Sequence, residues 1–228
     1  MPIYMLDDQP VFPPVSGAEE GIVAVGGDLS VERLLAAYSQ GIFPWYSDGE
    51  PIIWWSPDPR FIIPTAEIHV SKSMRRVLNA GYFRCTWDTC FADVMAHCAQ
   101  VERKGEQGTW ITDEMMQAYI TLHESGFAHS LEVWHQDRLV GGIYGVSLGH
   151  CFFAESMFHL ETNASKFALI QLSRYLQSIG FEWIDAQVYT EHVASLGGRD
   201  IPREEFLQLL HRGLQYPTLQ GKWDFKTA

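Results

Sequence analysis

Apolar positions along this chain follow a helical period in some stretches and a strand period in others. Residues 1–30 are turn-rich, broken by Pro10, Pro13, Pro14 and the Gly26-Gly27 pair. The spacing then predicts a short helix in VERLLAAYSQ, with Leu34, Leu35 and Tyr38 on one face, Asp28 and Ser30 as caps and Gly41 as its stop. In GIFPWYSDGEPIIWWSPDPRFIIP, Trp45, Trp54 and Trp55 alternate with Pro44, Pro51, Pro57, Pro59 and Pro64. Proline lacks the amide hydrogen a helix interior needs, so this stretch is expected as extended pieces and tight turns held by aromatic packing. Pro57-Asp58-Pro59 marks the expected boundary between a small N-terminal unit, 1–58, and a main domain, 59–228.

Beyond it, SKSMRRVLNA reads as a capped helix ending at Gly81, and residues 88–103 as another, with Phe91, Val94, Met95, Cys98 and Val101 at helical spacing. Thr112 or Asp113 starts a third, running through His123. The period then changes. HSLEVWHQ, RLVGGIYGVSLG and HCFFAESMFH read as three strands joined by turns near Asp137 and Gly149. An amphipathic helix from Ala164 to Ser178, a strand in FEWIDAQV, a short helix and a last helix near Pro202 complete the chain. Antiparallel strands, a crossover helix, one further strand and a helix predict an α+β layered domain with a mixed sheet and flanking helices. That order is similar to the Gcn5-related N-acetyltransferase superfamily.

Composition changes this picture little. Apolar residues make up 46% of 228, which is enough for a packed core. No apolar run is long enough to span a bilayer. The opening MPIYMLDDQPVFPP has acids and prolines where a signal peptide has a basic start, so a cytoplasmic protein is expected, with no membrane partner. Cys85, Cys90, Cys98 and Cys151 form no CxxC pair, and the histidines form no HxxxH or HxH pair. Free thiols and no metal are therefore expected.

Charge is more informative. The net charge of −12 argues against indiscriminate nucleic-acid binding, and no DNA partner is expected. Between Ile68 and Trp87, however, stand Lys72, Arg75, Arg76 and Arg84 with no acid. The first three share one helix face, suited to phosphates. Two carboxylates sit in apolar company. Glu155 in FFAESMF needs a positive or hydrogen-bonding partner, either an internal one such as Arg174 or Lys166 or a bound cation. Asp185 and Gln187, two apart in the strand WIDAQV, are expected on one face.

GGDLSVERLLAAYSQGIFPWYSDGEPIIWWSPDPR, EQGTWIT, AHSLEVWHQDRLVGGIYGV, FFAESMF, NASKFAL, DAQV and ASLGGRDIPREEF, taken in order, resemble the leucyl/phenylalanyl-tRNA–protein transferase family. The resemblance implies an aminoacyltransferase of the bacterial N-degron pathway. Its donor would be aminoacyl-tRNA carrying leucine, phenylalanine or, less well, methionine, and its acceptors proteins with an N-terminal Arg or Lys. No cofactor is expected, because an aminoacyl ester is already activated. The resemblance places Asp185, Gln187 and Glu155 at the catalytic centre and implies an amino-acid pocket from Ile143, Met157, Leu172, Leu176 and Ile184. Phe152 is added on the ground that a bulge, usual in this strand of the superfamily, shifts the alternation. Trp45 and Trp110 would stack on the terminal adenosine, and Lys72, Arg75, Arg76 and Arg84 would contact tRNA. The glycines of GGIYG lie within a strand pattern and open no helix, so they are read as structural. A CoA-dependent acetyltransferase and a non-catalytic tRNA-binding module stay open as alternatives.

Overall fold

A computed structural model describes residues 4–101 and 111–224. The N-terminal unit is a four-stranded sheet, β1 (Tyr4–Leu6), β2 (Ile22–Gly26), β3 (Phe43–Pro44) and β4 (Ile53–Trp55), in the order β1-β2-β4-β3, with helix α1 (Val31–Tyr38) between β2 and β3. Ser30 caps α1 by accepting from the Arg33 amide. The buried stripe of α1 is Arg33, Leu34, Ala37 and Tyr38, with Leu35 only half-buried. The Arg33 guanidinium is buried because it gathers the Asp7 and Gln9 carbonyls and the Asp28 carboxylate. Trp54, fully buried, donates its indole N–H to the Gly26 carbonyl and packs edge-to-face with the Phe12 ring.

The main domain is a seven-stranded sheet. Its strands are β5 (Arg60–Pro64), β6 (Arg84–Trp87), β7 (Ala128–His135), β8 (Arg138–Leu148), β9 (Cys151–His159), β10 (Trp183–Gln187) and β11 (Arg199–Ile201), in the order β11-β5-β10-β9-β8-β7-β6. Among the described residues of this sheet only β9 and β10 pair in parallel, and helix α5 (Ala164–Ser178) makes the crossover between them that a parallel pair requires. The remaining helices are α2 (Lys72–Asn79), α3 (Phe91–Ala99), α4 (Asp113–Glu124), α6 (Glu191–Ala194) and α7 (Arg203–Gly213). The mixed α+β fold expected from the sequence is the one observed. Among the described residues no helix is long and apolar enough to cross a membrane.

Two apolar clusters cover the sheet. One joins Trp54 and Tyr38 of the N-terminal unit to Phe91 of α3, Tyr119 of α4, Phe153 of β9 and Phe206 of α7. The other buries α5 through Phe167, Ala168, Leu172 and Leu176, with Met74 of α2 and Trp223 of the C-terminal segment. Glycines allow the close approach of these layers. A methyl on Gly141 would lie 2.6 Å from the Ala164 methyl, where α5 begins, and one on Gly145 would lie 2.2 Å from the Phe153 carbonyl. The glycines of β8 therefore serve packing.

Three details depart from expectation. The helix beginning near residue 88 is α3, capped at Gln100. The edge strand β6, four residues long, falls in a stretch where the period predicts no element. Most consequentially, Asp185 and Gln187 do not share a face. The pairing of β10 with β5 slips between them, and Gln187 has φ +64, so the chain turns after Asp185.

Candidate active site

The parallel pairing of β9 and β10 lasts only from Ile184 opposite Phe152 to Asp185 opposite Phe153. Both strands then leave the sheet's regular course. On β9 the register with β8 passes from Gly145 opposite Ala154 to Tyr144 opposite Ser156, so that Glu155 is the extra residue of a bulge. On β10, Gln187 takes its left-handed conformation. The strands separate around a cleft of about 540 Å³, lined among others by Phe43, Trp45, Ile143, Ala154, Glu155, Met157, Leu169 and Gln187. Its lining is largely apolar. The bulge presents four successive residues, Ala154 to Met157, to this space.

Glu155 is the carboxylate of the cleft. Only 8% of it is exposed, and none of its partners is basic. The Tyr38 hydroxyl donates to Oε1 at 2.7 Å, the Gln187 amide donates to the same oxygen at 2.8 Å, and the Tyr119 hydroxyl donates to Oε2 at 3.3 Å. The Tyr38 and Tyr119 oxygens also lie in hydrogen-bond contact with each other, and since each hydroxyl has one proton, a bond between them takes the place of one given to Glu155. The internal ion pair to Arg174 or Lys166 considered from the sequence is absent among these contacts. Desolvation dominates the result. It raises the Glu155 carboxyl to about 8, with the nearby Asp185 charge adding to the rise, while the bonds from Tyr38, Gln187 and Tyr119 work against it. Burial pushes both tyrosine hydroxyls well above their ordinary value, so each stays a donor. A carboxyl of this kind exchanges protons near neutrality, in the range of a free α-amino group at ~7.7–8.

Asp185 is placed differently. It is fully buried, does not line the cleft, and pairs both its oxygens with Arg60, at 2.9 Å to Nε and 2.6 Å to Nη2. The Arg60 guanidinium is itself fully buried between the Phe43 and Phe206 rings and donates to the Gly41 carbonyl. Asp185 Oδ1 also accepts the backbone N–H of Gln187 at 2.9 Å. Its geometric work is to hold the left-handed turn that delivers the Gln187 amide to Glu155. The sequence marked Asp185 but not Arg60, Tyr38 or Tyr119. Arg60 carried a usable signal, a lone charge at the head of the apolar run FIIP. The two tyrosines carried none, since each sits at core spacing on its helix.

Among the other residues singled out from sequence, Ile143 and Met157 line the cleft, as does half-buried Trp45, whose ring lies 5.9 Å from that of Trp55. Phe152, Leu172, Leu176 and Ile184 do not. They are core side chains of the α5 cluster, each at most 1% exposed. The bulge does occur in β9, but at Glu155, beyond Phe152, and so leaves Phe152 facing α5. Trp110 lies outside the described residues. Lys72, Arg75, Arg76 and Arg84 are all exposed on the α2–β6 segment, away from the cleft lining. Arg75 bonds the Val70 carbonyl, and the Arg84 guanidinium lies over the Trp134 ring.

Residues 27–58 match the profile of a family described as the leucyl/phenylalanyl-tRNA protein transferase N-terminal domain, and residues 62–211 match that of leucyl/phenylalanyl-tRNA protein transferase. The chain is 53% identical over 226 residues to the leucyl/phenylalanyl-tRNA–protein transferase of Myxococcus xanthus, covering 98% of this chain and 97% of that protein. It is 57% identical over 224 residues to the protein so named in Syntrophus aciditrophicus, covering 98% and 94%. Among solved structures, a GCN5-related N-acetyltransferase from Kribbella flavida superposes with a TM-score of 0.34 at 6% identity, over 73% of this chain and 59% of that one.

Proposed function

We propose, since this chain belongs to the leucyl/phenylalanyl-tRNA protein transferase family of aminoacyltransferases, that its cleft joins leucine or phenylalanine, and methionine less well, from charged tRNA to proteins beginning with Arg or Lys, marking them for N-degron degradation. The observation that supports this reading is the meeting, in one cleft, of an apolar wall with a single buried carboxyl near pH 8. The apolar wall of Ile143, Met157 and Leu169 accepts an uncharged side chain. Such a wall separates substrates differing by a methylene by only ~1–3 kcal/mol, which fits a graded preference.

In the transfer, the acceptor's α-amine attacks the ester carbonyl carbon. The C–N bond forms, the bond from carbon to the ribose 3′-oxygen breaks, and the proton released from the amine ends on that oxygen. Glu155 takes the proton from the arriving α-ammonium, a nearly thermoneutral step between groups of similar proton affinity. The acceptor's cationic groups favour the carboxylate form of Glu155 before this step, and the neutral carboxyl that the step produces returns its proton to solvent once the product leaves. Gln187, whose amide N–H is already given to Glu155, has its carbonyl oxygen left to accept from the same amine. Asp185 acts on Gln187 and not on the substrate. Trp45, and Trp110 by resemblance, offer flat surfaces to the terminal adenosine, and the basic face of α2 offers contacts to the tRNA backbone.

The test is incubation with labelled Phe-tRNA and peptides beginning with Arg, Lys or Ala. Labelling of the first two only is expected; equal labelling of all three, or of none, overturns the reading.

A further inference from the structure

The cleft has a second polar end that the transfer step leaves unused. His159 at the end of β9, Ser165 in the first turn of α5 and His192 on α6 all line it. The Ser165 hydroxyl stands between the two imidazoles, 3.5 Å from His159 Nδ1 and 3.4 Å from His192 Nε2. Both contacts are at the long limit for hydrogen bonds, so the three groups are gathered without being committed to one another. Burial, the Lys166 charge and His159 all lower the proton affinity of His192, and no carboxylate opposes them. The acids close in sequence are engaged elsewhere or face solvent. Glu161 pairs with His135 and Arg138, and Glu191 is exposed. α5 arrives here with fifteen residues, no acid in its first turn and no side-chain cap from Asn163, so its positive end adds to the same field.

Two imidazoles and a hydroxyl with no carboxylate among them offer hydrogen-bond donors suited to an anion. We propose that this end of the cleft is a phosphate subsite, which holds a phosphodiester of the donor tRNA's 3′ end while the ester lies at Glu155. This rests on the transferase reading and deepens it. The charges of the two substrates separate them. The acceptor brings cations, its α-ammonium and an Arg or Lys side chain, toward Glu155. The donor's anionic groups are its phosphates. Four steps along β9 carry the chain from Glu155 to His159, about 13 Å at ~3.3 Å per residue before the bulge shortens it, and both residues line the same cleft.

The experiment compares 3′-phenylalanyl-adenosine with its 5′-phosphorylated form as donors, for the wild-type protein, for the double variant H159Q/H192Q, and for Ser165→Ala, which removes only a hydroxyl. The readout is the ratio of the two donors' KM values within each protein, so any loss of folded protein cancels. In the wild type the 5′-phosphate is expected to lower KM about tenfold, the scale of one charge-assisted hydrogen bond. In H159Q/H192Q the gain falls below about threefold, with Ser165→Ala between the two. An unchanged ratio in the variants overturns the proposal. So does a pattern in which the variants lose instead a preference for Asp over Ala at the second residue of the acceptor, which would assign the subsite to the acceptor chain. Absence of transfer from either donor by the wild type would refute the transferase reading itself.

Discussion

Replacing Glu155 by Gln keeps the side chain's shape and its contacts with Tyr38, Tyr119 and Gln187 while removing the titration. The folded protein holds this carboxyl near 8 against an ordinary value of 4.5. Between those values the native state binds a proton that the unfolded chain releases. The stability this group contributes is therefore complete below about pH 4.5, declines as pH rises, and is gone above about pH 8. A difference of ~3.5 units at ~1.36 kcal/mol each sets an upper figure of about 5 kcal/mol. Water reaching the carboxyl from the cleft, and the freedom of two hydroxyls to reorient, reduce this to about 2–4 kcal/mol. The variant should thus gain on the wild type by that amount between pH 5 and pH 9. Urea denaturation of both proteins at pH 5, 7 and 9, with equal m-values, measures the change. A stability difference that stays constant with pH would refute the assignment of a proton to buried Glu155. The same variant should lose transfer at every pH, because Gln cannot accept the proton.

Tyr38→Phe removes a hydrogen bond that favours the charged form of Glu155, so the limb of the pH–rate profile that rises as Glu155 loses its proton should move to higher pH, and a limb that moves to lower pH would contradict the proposed network. Asp185→Asn leaves the Arg60 guanidinium buried without its counter-charge and should cost about 3–5 kcal/mol in chemical denaturation. The activity that remains in this variant should keep the pH dependence set by Glu155, whereas loss of that limb would make Asp185 the proton acceptor. Gly145→Ala places a methyl 2.2 Å from the Phe153 carbonyl, beside the bulge, and should lower the thermal midpoint and the transfer rate together. Replacing Lys72 and Arg76 by Ala should reduce the salt dependence of KM for charged tRNA, by about 0.7–0.9 in the log–log slope for each phosphate left without its cation, with transfer from aminoacyl-adenosine unaffected.

The larger elements were legible because their signals are redundant. α5 combines helical period with a closing Gly180, and β7 to β9 combine alternation with turns at Gln136-Asp137 and Gly149, both of which carry positive φ at Gln136 and Gly149. Short strands such as β6 and β11 give too few residues for a period to show, and they exist because a neighbour supplies the ladder. At the site, residue type was readable and direction was not. Glu155 stood out as a charge among Phe and Met, and the DxQ spacing stood out as polar within a strand. The bulge at Glu155 and the left-handed Gln187 are local departures from strict alternation, and with them Glu155 and Gln187 line the cleft while Asp185 does not. Phe152, Leu172, Leu176 and Ile184, assigned to the pocket by resemblance, lie in the α5 core cluster and outside the cleft lining, and an apolar residue on a core face has the same sequence signature as one on a cleft wall.

Both units contribute to the surroundings of Glu155 and Asp185. Glu155 lies in the main sheet, yet one of its hydroxyl donors, Tyr38, comes from α1, and Arg60 is clamped by Phe43 and by the carbonyl of Gly41, all three from the N-terminal unit. The other ring over Arg60, Phe206, comes from α7 at the far end of the sequence. The charge state of the cleft is therefore set by the docking of three distant segments. If the N-terminal unit were displaced, Glu155 would lose the bond that most opposes its protonation, and Asp185 would lose the rings that hold its partner. The proposed proton exchange at Glu155 would depend on that fixed surrounding. The N-terminal unit thus supplies both walls and hydrogen-bond donors to the candidate site, through Phe43, Trp45 and Tyr38.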